Sequence, residues 1–182
     1  RVHIPWAWQM SSTLETRLNY SASDCFETFP FPKPDPRTVI PELEDIGEKL
    51  YEIRARYMID NDQGLTKTYN AVKDPGCEQG LILELRELHE QMDRAVLAAY
   101  GWSDIQVPPY CPKTDEDRKA VQAFEDEVID RLFELNEKRA KEEELQGLRS
   151  AKGAKGRKAR GGGKKKAGKE KDSRQQQLKL GE

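Results

Sequence analysis

Histidine, cysteine and long apolar runs are scarce in this 182-residue chain, and each shortage excludes a class of protein. His3 and His89 are the only histidines, which argues against a histidine-based metal site. The three cysteines lie far apart without a C-x-x-C pair, a pattern that indicates reduced thiols in a cytosolic protein and neither a disulfide framework nor structural zinc. No apolar run approaches the ~18 residues of a membrane span, and no secretory signal is present. We therefore expect a cytoplasmic protein.

The opening residues suggest that the chain is a piece of something longer. It begins with Arg1, and the aromatic run at positions 3–8 resembles sequence from the middle of a domain. We expect a fragment.

Charge is distributed unevenly, although the formal net charge is only −2. Residues 149–182 hold thirteen Lys and Arg against three acidic residues, a net of about +10, so the rest of the chain carries about −12. With almost nothing to bury, this tail is predicted to be disordered and to bind nucleic acid through its charge; a solubilising tail is the alternative. The tail candidates for DNA contact are Lys152, Lys155, Arg157, Lys158, Arg160, Lys164, Lys165 and Lys166.

Apolar residues recur every three or four positions in three stretches, which predicts a mainly α fold with a three-helix assembly. The predicted helices cover about residues 41–61, 80–100 and 115–144. Pro41 suits a first helical turn, Gly64 is available as a left-handed stop after the first helix, and Gly101 is expected to end the second. Thr114 and Asp117 form a near capping box before the third. The connection at residues 64–70 is expected to be a loop.

Residues 1–36 differ from the helical part because they are rich in aromatics and proline. Alternating prolines in the stretch 29–34 push their predecessors into extended conformations, so this stretch cannot be helical. We expect irregular or β structure here, with a proline-rich strap across a domain surface. A polyproline ligand for a partner domain is the alternative.

No stretch has the pattern of a complete catalytic site. Val107-Pro108-Pro109-Tyr110 is similar to the N-P-P-Y loop of adenine methyltransferases, but Val at the first position supplies no side-chain acceptor for the target amine. We interpret this string as a rigid connection between helices. His89, next to the apolar Leu88, is expected at the surface or the core edge and not as a general base.

Seven short segments, in their order along the chain, resemble the C-terminal region of large adenine-specific DNA methyltransferases. These are the type IIG restriction-modification enzymes and the related methylases of BREX- and DISARM-type phage-defence systems. The segments are N-Y-S at 19–21, C-F-E-T-F-P-F-P at 25–32, L-Y-E-I-R at 50–54, G-L-T-K-T-Y-N at 64–70, L-R-E-L-H at 85–89, M-D-R-A-V at 92–96 and A-Y-G-W at 99–102.

The resemblance implies a parent enzyme that methylates DNA, although whether the chain itself is an enzyme stays open. It implies that residues 1–36 end a target-recognition domain, that residues 37–146 are its helical support and that residues 147–182 are the tail. The catalytic domain, with S-adenosylmethionine and the N-P-P-Y loop, would lie upstream, and no cofactor or metal is assigned to this chain. The implied partners are double-stranded DNA and the upstream methyltransferase domain, with no membrane.

The same resemblance implies which residues before the tail contact DNA. The candidates are Arg17, Asn19, Tyr20, Ser21, Thr66 and Lys67. Asn and Ser can bond base edges or phosphates, and Lys places a point charge on a phosphate. For Thr66 and Lys67, a hydrogen-bonded loop cap is the alternative. A helical protein-interaction module with a basic tail remains the competing function.

Overall fold

The computed structural model describes residues 1–11, 18–33, 35, 37–145 and 147. These residues contain five α-helices and one π-helical turn: α1 (His3–Met10), the π-turn (Ala22–Phe26), α2 (Pro41–Asp60), α3 (Leu65–Lys73), α4 (Gly80–Tyr100) and α5 (Asp115–Leu145). Residues Arg1–Ala140 form one compact unit, which we call the body, and a second unit begins at Lys141. No helix in the described ranges is long and apolar enough to cross a membrane.

The mainly helical prediction is confirmed. Helices α2, α4 and α5 begin and end within one residue of the predicted bounds. The predicted signals operate at two ends: Pro41 occupies the first turn of α2, and Gly101 ends α4 in the left-handed conformation at φ 78°. Residues 148–182 of the predicted tail fall outside the described residues.

Helix α4 belongs to both hydrophobic clusters of the body. Its first half supplies Ile82, Leu85 and Leu88 to a cluster with α2 and α3. Its second half supplies Leu97 to another cluster, which contains Trp6 of α1 and three buried residues of α5, Phe124, Val128 and Leu132. Since each buried Leu or Ile contributes roughly 1.5–3 kcal/mol gross, α4 is the helix on which both clusters depend.

Two expectations about the connection after α2 are wrong. Residues 64–70 are not a loop, because Leu65–Lys73 is a helix in which Thr68 and Val72 face the core. Gly64 is not a left-handed stop either: it is the N-cap of α3 at φ −80°, and Asp62 takes the positive φ of 46°. A nine-residue helix has too few repeats to show clear periodicity. Gly64 lies between the end of α2 and the start of α3, so its position in the sequence suits either role.

Residues 1–33 contain α1 and the π-turn, and no β-strand among those described. Between the π-turn and Ile40, none of the described residues is helical, as the alternating prolines require. Pro30 is buried, and its carbonyl accepts a hydrogen bond from the Tyr100 hydroxyl at 2.9 Å. The described part of the strap is thus fastened to α4. The division at residue 36 stays a prediction.

A buried arginine fixes the C-terminal end of α3. Arg86 of α4 donates from Nε to the carbonyl of Val72 at 2.9 Å, and from Nη2 to the carbonyls of Ala71 at 3.2 Å and Asp74 at 2.6 Å. The Cys111 thiol donates to the carbonyl of Lys73 at 3.4 Å. The last carbonyls of a helix lack partners within it and carry partial negative charge, so the guanidinium both bonds and neutralises them.

Replacing Arg86 is expected to destabilise the body strongly. Arg86→Met removes three charge-assisted hydrogen bonds and leaves the α3 carbonyls unpaired, which should lower the free energy of unfolding by about 2–4 kcal/mol. Arg94→Met is the matched control on α4, because Arg94 itself is exposed, and its ion pairs with the exposed Glu87 and the partly buried Glu90 should matter by less than about 1 kcal/mol. Urea unfolding followed by circular dichroism measures both, and equal decreases would contradict the capping role.

The start of α5 is a reciprocal capping box. The Asp117 carboxylate accepts hydrogen bonds from the backbone N–H groups of Lys113 and Thr114, both at 2.9 Å. In return, the Asp117 N–H donates to the Thr114 hydroxyl at 3.0 Å. The bonds from Thr114 and then Lys113 lower the pKa of Asp117 from its ordinary 3.8. The near capping box of the sequence is a working cap in the structure.

The cap makes a pH-dependent contribution to stability. A carboxylate with a lower pKa in the folded state stabilises fully above 3.8, and the contribution is lost as the pH falls through the lower, folded value. Asp117→Ala should therefore reduce the thermal midpoint at neutral pH, and the difference from wild type should close well below pH 3.8. Asp130→Ala, an exposed acid in the middle of α5, is the control. A difference that persists unchanged in acid would contradict the assignment.

Candidate nucleic-acid interface

The first group of candidate DNA contacts lies in an extended segment before the π-turn. Asn19 and Tyr20 are exposed, and Ser21 is partly exposed. Ser21 is the N-cap of the π-turn, and its carbonyl accepts the Cys25 N–H at 2.8 Å. Its hydroxyl lies 2.8 Å from that of Ser23. The segment therefore presents an amide, a phenol and a hydroxyl towards solvent from a defined backbone.

Tyr20 is the end of a ladder of five aromatic rings. Successive ring centroids are separated by 5.7 Å from Tyr20 to His3, 4.5 Å from His3 to Phe29, 5.0 Å from Phe29 to Phe31 and 5.1 Å from Phe31 to Phe26. Each pair is T-shaped, the arrangement that brings the positive edge of one ring to the negative face of the next. The two end rings, Tyr20 and Phe26, are each 47% exposed. The ladder thus has a packed middle and two accessible ends.

Three side chains attach this ladder to the body. Trp6 of α1 is fully buried, and its indole N–H donates to the Thr28 hydroxyl at 3.2 Å. That hydroxyl donates in turn to the Asp24 carbonyl, and the buried Cys25 thiol donates to the Ala7 carbonyl at 3.7 Å. The π-turn is therefore held on α1 by contacts between residues about twenty positions apart in the sequence.

The second group, Thr66 and Lys67, occupies the first turn of α3. Both residues are exposed, and no side-chain hydrogen bond caps this end of the helix. The Thr68 hydroxyl instead donates to the Gly64 carbonyl at 3.2 Å from the buried side. The alternative of a side-chain loop cap by Thr66 or Lys67 gains no hydrogen bond in the described residues. A helix N-terminus carries partial positive charge, which Lys67 increases.

The two groups lie on different parts of the body. Thr66 and Lys67 begin a helix of the first hydrophobic cluster, whereas the ladder of Tyr20 adjoins Trp6 of the second. In the described part of the chain, no hydrogen bond or ring contact joins the two groups. Arg17 and the eight tail candidates, Lys152 to Lys166, lie outside the described residues.

Side chains from other parts of the chain hold the V-P-P-Y string in place by hydrogen bonds to its backbone, as expected for a rigid connection. The Arg1 guanidinium donates to the carbonyls of Pro108 at 3.0 Å and Pro109 at 3.2 Å, and pairs with the buried Asp93 at 2.6 Å. The Tyr110 N–H donates to the Glu90 carboxylate at 2.8 Å. Its ring stacks on that of the nearby histidine of α4, with centroids 4.4 Å apart and planes at 13°. The ring of Tyr110 is therefore already stacked on a residue of the same chain.

That histidine, His89, lies at the edge of the core. Its Nε2 is 3.3 Å from the Tyr69 hydroxyl, and burial lowers its pKa to about 4. The imidazole is therefore neutral at physiological pH, packed between two tyrosines. In the described ranges, no group of three His, Cys, Asp or Glu residues is arranged to hold a metal ion. The three cysteines are free.

A groove of about 600 Å³ runs between the strap and helices α2 and α4. Leu43, Met92 and Val96 contribute apolar surface to it, and Lys33 of the strap and Arg37, which follows the strap, add positive charge. Arg37 is 3.7 Å from Asp35, so its charge is partly compensated. The groove separates the strap from the helices over part of its length.

Sequence reasoning missed two residues that organise these surfaces. His3 joins Tyr20 to Phe29, and Arg86 fixes α3. A signal existed for Arg86, since it sits four residues after Ile82 and directly after Leu85, on the apolar side of the predicted helix. No local pattern identifies His3, because its partners are 17 and 26 positions away.

One comparison with known proteins gives a relative. The chain is 30% identical over 123 residues to DNA methyltransferase A of Bacillus subtilis (strain 168). The aligned part is 66% of this chain and 12% of that protein, so the chain spans about an eighth of its relative's length. No family model matches the sequence, and no solved structure matches it. The chain is thus related in sequence to a DNA methyltransferase.

Proposed function

We propose that this chain is the DNA-recognition and scaffold fragment from the C-terminal region of a site-specific adenine DNA methyltransferase. The parent would be a type IIG restriction-modification enzyme or a BREX- or DISARM-like phage-defence methylase. The observation that carries the proposal is the similarity to DNA methyltransferase A across two thirds of the chain. The order of the resembling segments supports it. The fragment is non-catalytic alone and acts in the cytoplasm.

Chemistry in the parent would belong to a domain upstream of this fragment. That domain would bind S-adenosylmethionine and transfer its methyl group, while the fragment contacts double-stranded DNA and packs against the upstream domain. None of the described residues is assigned to the cofactor. Measured methyl transfer from S-adenosylmethionine to DNA by this chain alone would contradict the proposal.

The proposed contacts use the chemistry of each exposed group. Asn19 and Ser21 can bond base edges or phosphate oxygens, and Tyr20 offers a ring and a hydroxyl. At α3, the positive helix end and Lys67 suit a phosphate. Arg86 supports this placement indirectly, because it holds the opposite end of the same helix.

A second candidate function is a protein-interaction module with a nucleic-acid-binding tail. It is favoured by the outer face of α1, where Ile4 and Trp8, four residues apart, are 52% and 44% exposed. Phe26 and Phe133 add further exposed apolar surface. Exposed apolar surface is commonly covered by a protein partner. If Lys67 and Tyr20 variants bind duplex DNA as wild type does, while Trp8→Glu abolishes a stable protein complex, the results would support this second function over the first.

Lys67 is expected to contribute one phosphate contact. Lys67→Ala should reduce the slope of log affinity against log salt for duplex DNA by about one unit, without changing sequence preference. Lys73→Ala, at the other end of the same helix, is the matched control and should leave the slope unchanged. Fluorescence anisotropy with a labelled duplex at several salt concentrations measures both. Equal slopes in the two variants and wild type would remove the α3 contact.

Deletion of residues 149–182 tests the tail separately. The truncated chain should show a weaker salt dependence of DNA binding, by roughly one unit for each phosphate that the tail neutralises in the full chain, because the tail binds by counterion release. Its sequence preference should be unchanged. Gel shifts with specific and unrelated duplexes at two salt concentrations make the measurement, and an unchanged slope would exclude the tail from DNA binding.

A further inference from the structure

His3 links three parts of the N-terminal region that are distant in the sequence. It lies in the first turn of α1, and its Nε2 is 3.0 Å from the Tyr20 hydroxyl. Its ring meets that of Phe29 at 4.5 Å and 89°, so the imidazole is packed as well as hydrogen-bonded. Burial also keeps the pKa of His3 below its ordinary 6.5, so the ring is neutral at pH 7. One ring therefore contacts α1, the extended segment and the strap.

The hydrogen bond between Tyr20 and His3 attaches residues 19–21 to helix α1. Within the described residues, the other hydrogen bonds of this segment are local: the Ser21 hydroxyl meets that of Ser23, and the Ser21 carbonyl accepts the Cys25 N–H. Without the hydrogen bond to His3, the half-exposed Tyr20 ring would keep its edge contact with the His3 ring, at 5.7 Å between centroids. A single side-chain pair therefore orients the ring.

We propose that His3 is a positioning residue that fixes Tyr20, and with it Asn19 and Ser21, in the orientation that contacts DNA. The inference rests on the proposed function, to which it adds a residue that touches no DNA itself. Its physical basis is preorganisation: a contact made by an already ordered side chain avoids the loss of conformational entropy on binding. Removing the Tyr20 hydroxyl should therefore loosen this segment, and removing His3, which also removes the edge contact with the Tyr20 ring, should loosen it at least as much.

The first test measures order in the free 182-residue chain. His3→Ala and Tyr20→Phe should each lower the backbone ¹⁵N order parameters of residues 19–21, from about 0.85 towards 0.6. The double variant should be no more mobile than His3→Ala alone, and His3→Gln, whose amide can still bond the hydroxyl, should restore order. Tyr51→Phe on α2 is the matched control for loss of an exposed tyrosine hydroxyl. Unchanged or additive order parameters would overturn the positioning role.

The second test measures duplex affinity with the same variants of the 182-residue chain, in about 0.3 M salt to suppress the tail's contribution. His3→Ala and Tyr20→Phe should each weaken binding by about three- to tenfold, as expected for one neutral hydrogen bond, and their effects should not add. His3→Gln should bind nearly as wild type. If order parameters change as expected but even Tyr20→Ala binds normally, the DNA contact assigned to Tyr20 is wrong, and the functional part of this inference falls with it. If Tyr20→Ala weakens binding and His3→Ala does not, only the positioning role is overturned.

Discussion

Burial of helix α4 on two sides is the constraint on which the rest of the body depends. Its first half packs against α2 and α3, and its second half against Trp6 and α5. The same helix carries the two buried charges that organise its neighbours, Arg86 towards the carbonyls of α3 and Asp93 towards Arg1. Since an unpaired buried charge is costly, each of these bonds fixes a neighbouring segment in one place. The DNA contacts proposed on either side inherit their positions from this helix.

The long helices could be predicted from the sequence because their stability is encoded locally. Apolar residues repeat at helical spacing through α2, α4 and α5, and Pro41, Gly101 and Thr114 mark their ends. Helix α3 could not be separated from a loop, because its nine residues depend on Arg86 and on core burial of Val72. Short helices are marginal in isolation, so tertiary contacts decide them. The same holds for α1, whose eight residues are fixed by burial of its tryptophan at position 6.

For the candidate interface, the sequence indicated which side chains are suited to DNA but not their arrangement. Asn19, Tyr20 and Ser21 are adjacent, so their common exposure follows from one extended segment. The Tyr20 hydroxyl bonds to His3, whose ring packs on Phe29, and the sequence separates these two residues from Tyr20 by 17 and 9 positions without any periodic relation. Such contacts arise from the packing of irregular backbone, for which neither the helical nor the strand period applies.

The uneven charge of the chain implies that its two parts would contribute differently to the proposed DNA binding. Residues 1–148 carry a net charge of about −12, which repels a polyanion at long range, so the body alone cannot supply strong non-specific affinity. Favourable interaction there must come from short-range groups at defined positions, such as the positive end of α3 with Lys67 and the oriented segment at residues 19–21. These groups gain most from a rigid scaffold, because their interactions depend on distance and angle. Long-range attraction would then come from residues 149–182, whose charge acts without defined geometry. Affinity and discrimination would thus reside in separate parts of one chain.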